Sequence, residues 1–132
     1  MEFVLALPVV MLIVFGIFEF GRYFYTRLTV RQAVTDAARY AVTGNQFKDP
    51  DTGDPIGRAL SIERVIQQRT ADLGVQTSDI TISPSDGGAP EQVVTISVHY
   101  HYTMVFPSIA SVIPRNALDF TVSTSMRNEP FY

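Results

Sequence analysis

The chain begins with a long apolar stretch bounded by two acids. Residues 3–18 read FVLALPVVMLIVFGIF, with Glu2 directly before them and Glu19 directly after them. A transmembrane helix needs about 20 mainly apolar residues, and residues 3–21 supply nearly that length when Glu19 lies at the membrane interface. The proline inside the stretch is compatible with a span, because neighbouring helices can satisfy the carbonyl that it leaves free. The pattern therefore predicts a transmembrane segment over residues 1–21.

A cleaved secretory signal and the core helix of a soluble protein are the two other interpretations of this stretch. A signal peptide carries a basic segment before its apolar core and a small-residue cleavage motif after it, and neither pattern occurs here. A core helix of a soluble protein is rarely so uniformly apolar. Membrane insertion is the interpretation that the pattern favours.

The helical pattern continues beyond the apolar stretch, from residue 22 to about residue 43. Its apolar stripe recurs at i, i+3 and i+4 and is rich in alanine, which lets another element approach the helix axis closely. Gly44 and Asn45 then form a plausible end to the helix. The stripe that we expect to pack against the rest of the protein consists of Val30, Ala33, Val34, Ala37 and Ala41, with Ala38 beside them.

The remaining pattern predicts an α+β head domain over residues 22–132. A loop rich in Asp, Pro and Gly precedes a second helix over residues 61–73, which the hydroxyl of Ser61 can cap. The apolar period then changes from about 3.6 to about 2, with one apolar strand face and one face rich in Ser and Thr, as in an antiparallel sheet covered on one side. The predicted strands are 79–83, 92–104 and 117–126, with a single helical turn between the last two.

Composition excludes several classes of function. The net charge is −3, and no basic run is present, so nothing indicates a nucleic-acid partner. The chain has no cysteine, which excludes a disulfide framework and cysteine-ligated zinc. The 132 residues leave room for one small domain beside the apolar segment.

Candidate chemistry is sparse. His99 and His101 share a strand face and Asp119 could lie across from them, a set that can bind zinc but more often forms an ordinary polar sheet face. The acids of the 45–57 loop do not have the spacing of a calcium-binding EF-hand. No G-x-S-x-G motif is present. We therefore expect no enzymatic activity, no catalytic residue, no metal and no cofactor.

Three motifs together resemble the TadE family of minor pseudopilins from the tight-adherence (Flp) pilus machinery. They are EFVLALP at residues 2–8, EFGR at 19–22 and AVTDAARYAV at 33–42. The family signature has the form E-F-A-L-x-x-P, an apolar helix and then E-x-G-R. TSMR at 124–127 is also similar to the family, although the specific motifs lie in the first 43 residues.

The resemblance implies a pilin-like fold with a single-pass anchor in the bacterial inner (cytoplasmic) membrane and a periplasmic or extracellular head. It implies contact with membrane lipid, with other pilins and pseudopilins (a TadF-like partner and the Flp major pilin) and with the pilus assembly platform. Prepilin peptidase is a further partner if a leader is present. Glu2 matches the pilin glutamate of the family, and Phe3 matches the aromatic residue that follows it.

The motif departs from the family pattern at its start, because only Met1 precedes Glu2, whereas a prepilin carries a basic leader. Arg22, Arg27 and Arg31 follow the span, and on their own they favour a cytoplasmic head; a basic leader would reverse this preference. Physically, a pilin-type glutamate can pair with the N-terminal amine of a neighbouring subunit and so set their register. The competing hypotheses are a membrane-anchored binding or adhesive domain outside any filament, and a membrane-tethered hydrolase.

Overall fold

The computed structural model describes residues 1–114 and 116–130, and it confirms the predicted α+β class. Positions 115, 131 and 132 of the predicted head domain lie outside the described residues. The elements in chain order are α1 (Glu2–Val42), α2 (Arg58–Arg69), two short 3₁₀ helices (Ala71–Leu73 and Thr77–Asp79), β1 (Ile80–Ser83), β2 (Val93–Tyr100), α3 (Pro107–Ala110) and β3 (Phe120–Arg127).

Helix α1 is unbroken over 41 residues and has two different environments along its length. Residues 1–15 are exposed throughout, whereas Val30, Val34 and Ala37 are completely buried. The part from Glu2 to Gly21 is about 30 Å long at about 1.5 Å per residue, which equals the hydrocarbon thickness of a bilayer of about 30 Å. α1 is thus long enough and apolar enough to cross a membrane.

The three strands form an antiparallel meander in the order β1-β2-β3. On the face of β2 that looks towards α1, Val94, Ile96 and Val98 each expose 2% or less of their surface. The opposite face is exposed and carries a row of polar pairs across β2 and β3. These pairs are Thr95–Ser125 at 2.8 Å, Ser97–Ser123 at 2.9 Å and His99 Nδ1–Thr121 Oγ1 at 3.0 Å.

The small-residue stripe of α1 supplies the other side of the core. α1 contacts both β2 and β3, and α2 packs mainly beside α1. Ile62 and Ile66 of α2 complete the core with exposures of 1% and 0%. The structure places all five of the predicted packing residues in this core, each exposing 2% or less: Val30, Ala33, Val34, Ala37 and Ala41.

The end of α1 far from the apolar half is held by hydrogen bonds from the first residue of α2 and from the segment after β3. Arg58 donates hydrogen bonds to the carbonyls of Ala41, at 2.8 Å, and of Gly88 in the β1–β2 turn. Gly88 has φ +73°, and a Cβ there would lie 2.9 Å from Cγ2 of Val94, so this position requires glycine. The backbone N–H of Glu129 donates to the carbonyl of Val42 at 3.1 Å.

The second helix begins earlier than predicted, and Ser61 does not cap it. α2 begins at Arg58, after Gly57 with φ 93°, and it ends at Arg69, so that residues 71–73 form a separate 3₁₀ turn. Ser61 lies inside the helix, where its hydroxyl donates to the carbonyl of Gly57 at 2.6 Å and accepts from the N–H of Phe47 at 2.9 Å. The hydroxyl is thus occupied by a carbonyl one turn back and by the preceding loop.

The strand boundaries also differ from the prediction, by one residue at the starts of β1 and β2 and by more in β2 and β3. β2 ends at Tyr100 and not at residue 104, because the chain then leaves the sheet and buries Tyr102 against α1. β3 covers Phe120–Arg127 and not residues 117–126, since residues 116–118 form a turn. The predicted helical turn between these strands is present as α3.

Ala37 is completely buried in the core beneath the stripe of α1. Ala37→Leu places a longer side chain in a fully packed site and should lower the free energy of unfolding by about 1–3 kcal/mol. Ala6→Leu makes the same change on the exposed half of α1 and should have little effect. Thermal unfolding in detergent, followed by the near-UV circular dichroism of the tyrosines, measures the difference; equal midpoints for the two variants would contradict the close packing.

Candidate functional site

The two predicted sets of site residues lie far apart on α1. Glu2 is the first residue of the helix and is exposed, and Phe3 exposes 76% of its surface. Val30, the first predicted packing residue, lies about 42 Å further along the helix axis at about 1.5 Å per residue. Within the described residues no ion pair includes Glu2. A counter-charge for Glu2 on a second molecule therefore stays a prediction.

The structure reveals a different acidic site at Glu19, where the head domain meets the apolar half of α1. Glu19 exposes only 5% of its surface. Its Oε1 accepts a hydrogen bond from the hydroxyl of Tyr102 at 3.0 Å and another from the backbone N–H of Val105 at 3.1 Å. A buried carboxylate is strongly destabilising unless donors replace its water. These two donors make the burial of Glu19 tolerable.

Aromatic packing brings Tyr102 to this position. Its ring meets the ring of Tyr23 edge to face, with centroids 5.3 Å apart, and Tyr23 meets Phe120 in the same manner at 5.7 Å. Tyr23 follows Glu19 by four residues and so lies on the same face of α1. One turn of α1 thus offers both a ring and a carboxylate to the segment that leaves β2.

Arg22 adds a positive charge on the outside of the same site. Its guanidinium carbon lies 5.7 Å from the centre of the Tyr102 ring, and its Nη1 donates to the carbonyl of Thr103 at 3.5 Å. Burial, followed by the hydrogen bond to Glu19, raises the pKa of Tyr102 to about 12, with Arg22 acting in the opposite direction. The hydroxyl is protonated at neutral pH, and because its pKa is raised it remains a donor to the carboxylate at a higher pH than an ordinary tyrosine would.

The sequence pattern does not predict this site. It predicts Glu19 at the membrane interface and a strand that continues to residue 104, which would place Tyr102 on the apolar face of the sheet. The two residues are 83 positions apart, so no local pattern pairs them. The available signals were an acid at the end of an apolar helix and a tyrosine that begins an uncharged stretch over residues 102–114.

The candidate zinc residues are used in other ways. His101 Nδ1 lies 2.6 Å from Oδ1 of Asp119, whereas His99 is bonded to Thr121. In the 45–57 loop, Asp49 accepts from the N–H of Asp51 at 2.8 Å within a turn. Among residues 1–114 and 116–130, no group of three or more His, Cys, Asp or Glu side chains is placed to hold a metal ion.

Removal of the Tyr102 hydroxyl tests the contribution of this site to stability. Tyr102→Phe keeps the ring packing but leaves Glu19 with one donor fewer, so the free energy of unfolding should fall by about 1–3 kcal/mol. Tyr25→Phe is the matched control, because Tyr25 is 63% exposed. The measurement is thermal unfolding in detergent, and a Tyr102→Phe protein as stable as the control would show that the bond contributes nothing.

The raised pKa of Tyr102 also predicts a loss of stability in alkali. As the pH rises above the ordinary pKa of 10.0, the unfolded chain releases this proton first, because the folded pKa is about 12. The contribution of Tyr102 is therefore complete below pH 10 and is lost as the pH rises towards 12. Unfolding midpoints of wild type and Tyr102→Phe should converge across this range; a constant gap would contradict the pKa.

Comparison with protein families matches residues 1–39 to the family model described as TadE-like protein. The match confirms the predicted resemblance over most of α1 and suggests a role in assembly of the Tad pilus. The apolar half of α1, which could span a membrane, is consistent with a membrane-anchored protein of that system. Comparisons with curated proteins and with solved structures found no match.

Proposed function

We propose that this TadE-like chain is a minor pseudopilin that acts in the assembly or initiation of a tight-adherence type IV pilus. It does so through helix-to-helix packing and through Glu2, and its role is structural and not enzymatic. The observation that carries the proposal is the bare apolar half of α1, which lies within the residues 1–39 that match the TadE-like family.

The bare half of α1 requires a partner that is not water. Phe3, Leu5 and Ile17 expose 76%, 77% and 69% of their surfaces. Apolar surface is stabilised by about 25 cal/mol for each Å² that is removed from water, and a soluble monomer rarely leaves so continuous an apolar surface exposed. Lipid satisfies this surface while the protein is in the membrane, and the helices of other pilins satisfy it in an assembly.

Glu2 gives such helix packing a preferred register. A carboxylate near the centre of a bilayer costs about 2.5–3.5 kcal/mol on insertion scales, and less near the interface. Pairing with the N-terminal amine of a neighbouring subunit removes this cost only when the two helices are correctly aligned. We assign this role to Glu2, with Phe3 packing beside it against the same neighbour.

The proposed setting is the bacterial inner membrane, with the head domain on the side away from the cytoplasm. The proposed partners are a TadF-like pseudopilin, the Flp major pilin and the pilus assembly platform, with prepilin peptidase acting on any leader. The similarity of residues 1–39 to TadE-like proteins supports this setting. No nucleic acid takes part.

The test exchanges Glu2 for glutamine in the native host. Glu2→Gln removes the charge but keeps the size, so we expect normal membrane insertion and loss of surface pili, because the neighbouring amine has no carboxylate to pair with. Membrane fractionation and electron microscopy of the cells measure the two properties. Normal piliation in this variant would contradict the role of Glu2.

The matched control is Glu129→Gln, which makes the same change at an exposed position of the head domain. We expect this variant to assemble pili as wild type does. Crosslinking in the same cells should recover pilin partners with wild-type protein. Recovery of no pilin would favour a membrane-anchored binding domain that works outside any filament.

A further inference from the structure

The segment after Tyr102 follows α1 into its apolar half. Val105 is held by Glu19, and the ring of Phe106 stacks on Phe15, with centroids 4.5 Å apart. Phe106 also meets Phe18 edge to face at 6.0 Å. The chain therefore runs from the level of Glu19 towards the start of α1 before it returns to β3.

An apolar groove shows how far this segment extends along the helix. Ile109, Val112 and Ile113 line it on one side, and helix residues from Pro8 to Gly16 line it on the other. From Glu19 to Pro8 the helix axis covers about 16 Å at about 1.5 Å per residue. The segment thus lies beside the same part of α1 that the proposed span places in lipid.

The composition of this segment suits a membrane. Residues 102–114 read YTMVFPSIASVIP and contain no charged side chain. Val105 and Val112 point away from the protein, with exposures of 50% and 82%. Backbone polar groups in a membrane need hydrogen-bond partners, and local bonds supply some of them here. The N–H groups of Ile109 and Ala110 donate to the carbonyl of Phe106 at 3.1 and 3.3 Å, and that of Val112 donates to the carbonyl of Ile109 at 3.1 Å.

We propose that residues 104–114 are a second membrane-contacting element, inserted beside α1 into the lipid leaflet nearest the head domain. The occupant of its exposed apolar surface is lipid. This inference depends on the proposed membrane anchoring of α1.

The length of α1 supports lipid as the occupant. Suppose that the whole segment lay outside the lipid, so that the bilayer began only at Pro8. Only the residues from Glu2 to Pro8 would then lie inside the bilayer. Seven helical residues cover about 10 Å, about a third of the hydrocarbon thickness of about 30 Å. Glu19, Arg22 and Tyr23 are instead the polar and aromatic residues that suit the membrane–water interface. Residues 104–114 lie on the lipid side of these three residues.

Single tryptophans test the depth of the segment, because the natural chain has none. Three full-length variants are reconstituted in vesicles of unlabelled or acyl-brominated phosphatidylcholine. Val112→Trp reports on the segment, Leu12→Trp on the span, and Val93→Trp on the head domain, where Val93 is 57% exposed. We expect brominated lipid to quench Val112→Trp and Leu12→Trp, and to leave Val93→Trp unchanged.

The outcomes separate this inference from the proposed anchoring. Quenching of Leu12→Trp without quenching of Val112→Trp would overturn the inserted segment and leave the span intact. Quenching of neither would overturn the anchoring itself. Val105→Trp is a second reporter, so that misfolding of one variant does not decide the result. A blue-shifted Val112→Trp emission that brominated lipid does not quench would indicate a protein occupant, and would also overturn the inference.

Discussion

The close contact between α1 and the sheet depends on small side chains along one face of the helix. Ala33, Ala37 and Ala41 lie in this face, and each exposes 2% or less of its surface. Because the alanine side chain is small, the sheet can approach the helix axis closely. Val94, Ile96 and Val98 of β2 therefore pack into the same core. A domain of this size has only a small core, and the stripe of α1 from Val30 to Ala41 is one side of that core.

Continuity of α1 then carries the chain from that core into a different environment. The helix has no break between the buried stripe and the bare apolar half. Glu19 marks the change, because it is the last buried residue towards the beginning of α1. Its bonds to Tyr102 and Val105 fix the position of the head domain along the helix axis. This bonding satisfies a carboxylate where the buried stripe of α1 ends and the mostly exposed apolar half begins.

The periodicity of apolar residues was sufficient to predict the order of the main helices and strands and which face of each is buried. The alanine stripe of α1 follows from a local spacing of three and four residues, and the polar face of β2 follows from strict alternation. Interactions between distant residues decided the rest. Tyr102 fits the alternation of β2, but it lies beyond the end of that strand, where its ring packs on Tyr23. Serine often caps helices, but the hydroxyl of Ser61 instead accepts a hydrogen bond from the N–H of Phe47 in the preceding loop. The Glu19 site brings together residues more than 80 positions apart, so the sequence pattern could not show that they meet.

The length of the contact between α1 and the head domain has a mechanical consequence. Contacts begin at Phe15, on which Phe106 stacks, and continue to Ala41, a distance of about 39 Å at about 1.5 Å per residue. A load applied along the helix axis is shared by all of these contacts at once, in shear. A load applied across the axis would separate them one after another, as in peeling. The domain is therefore held most firmly against traction in the direction in which its own helix points.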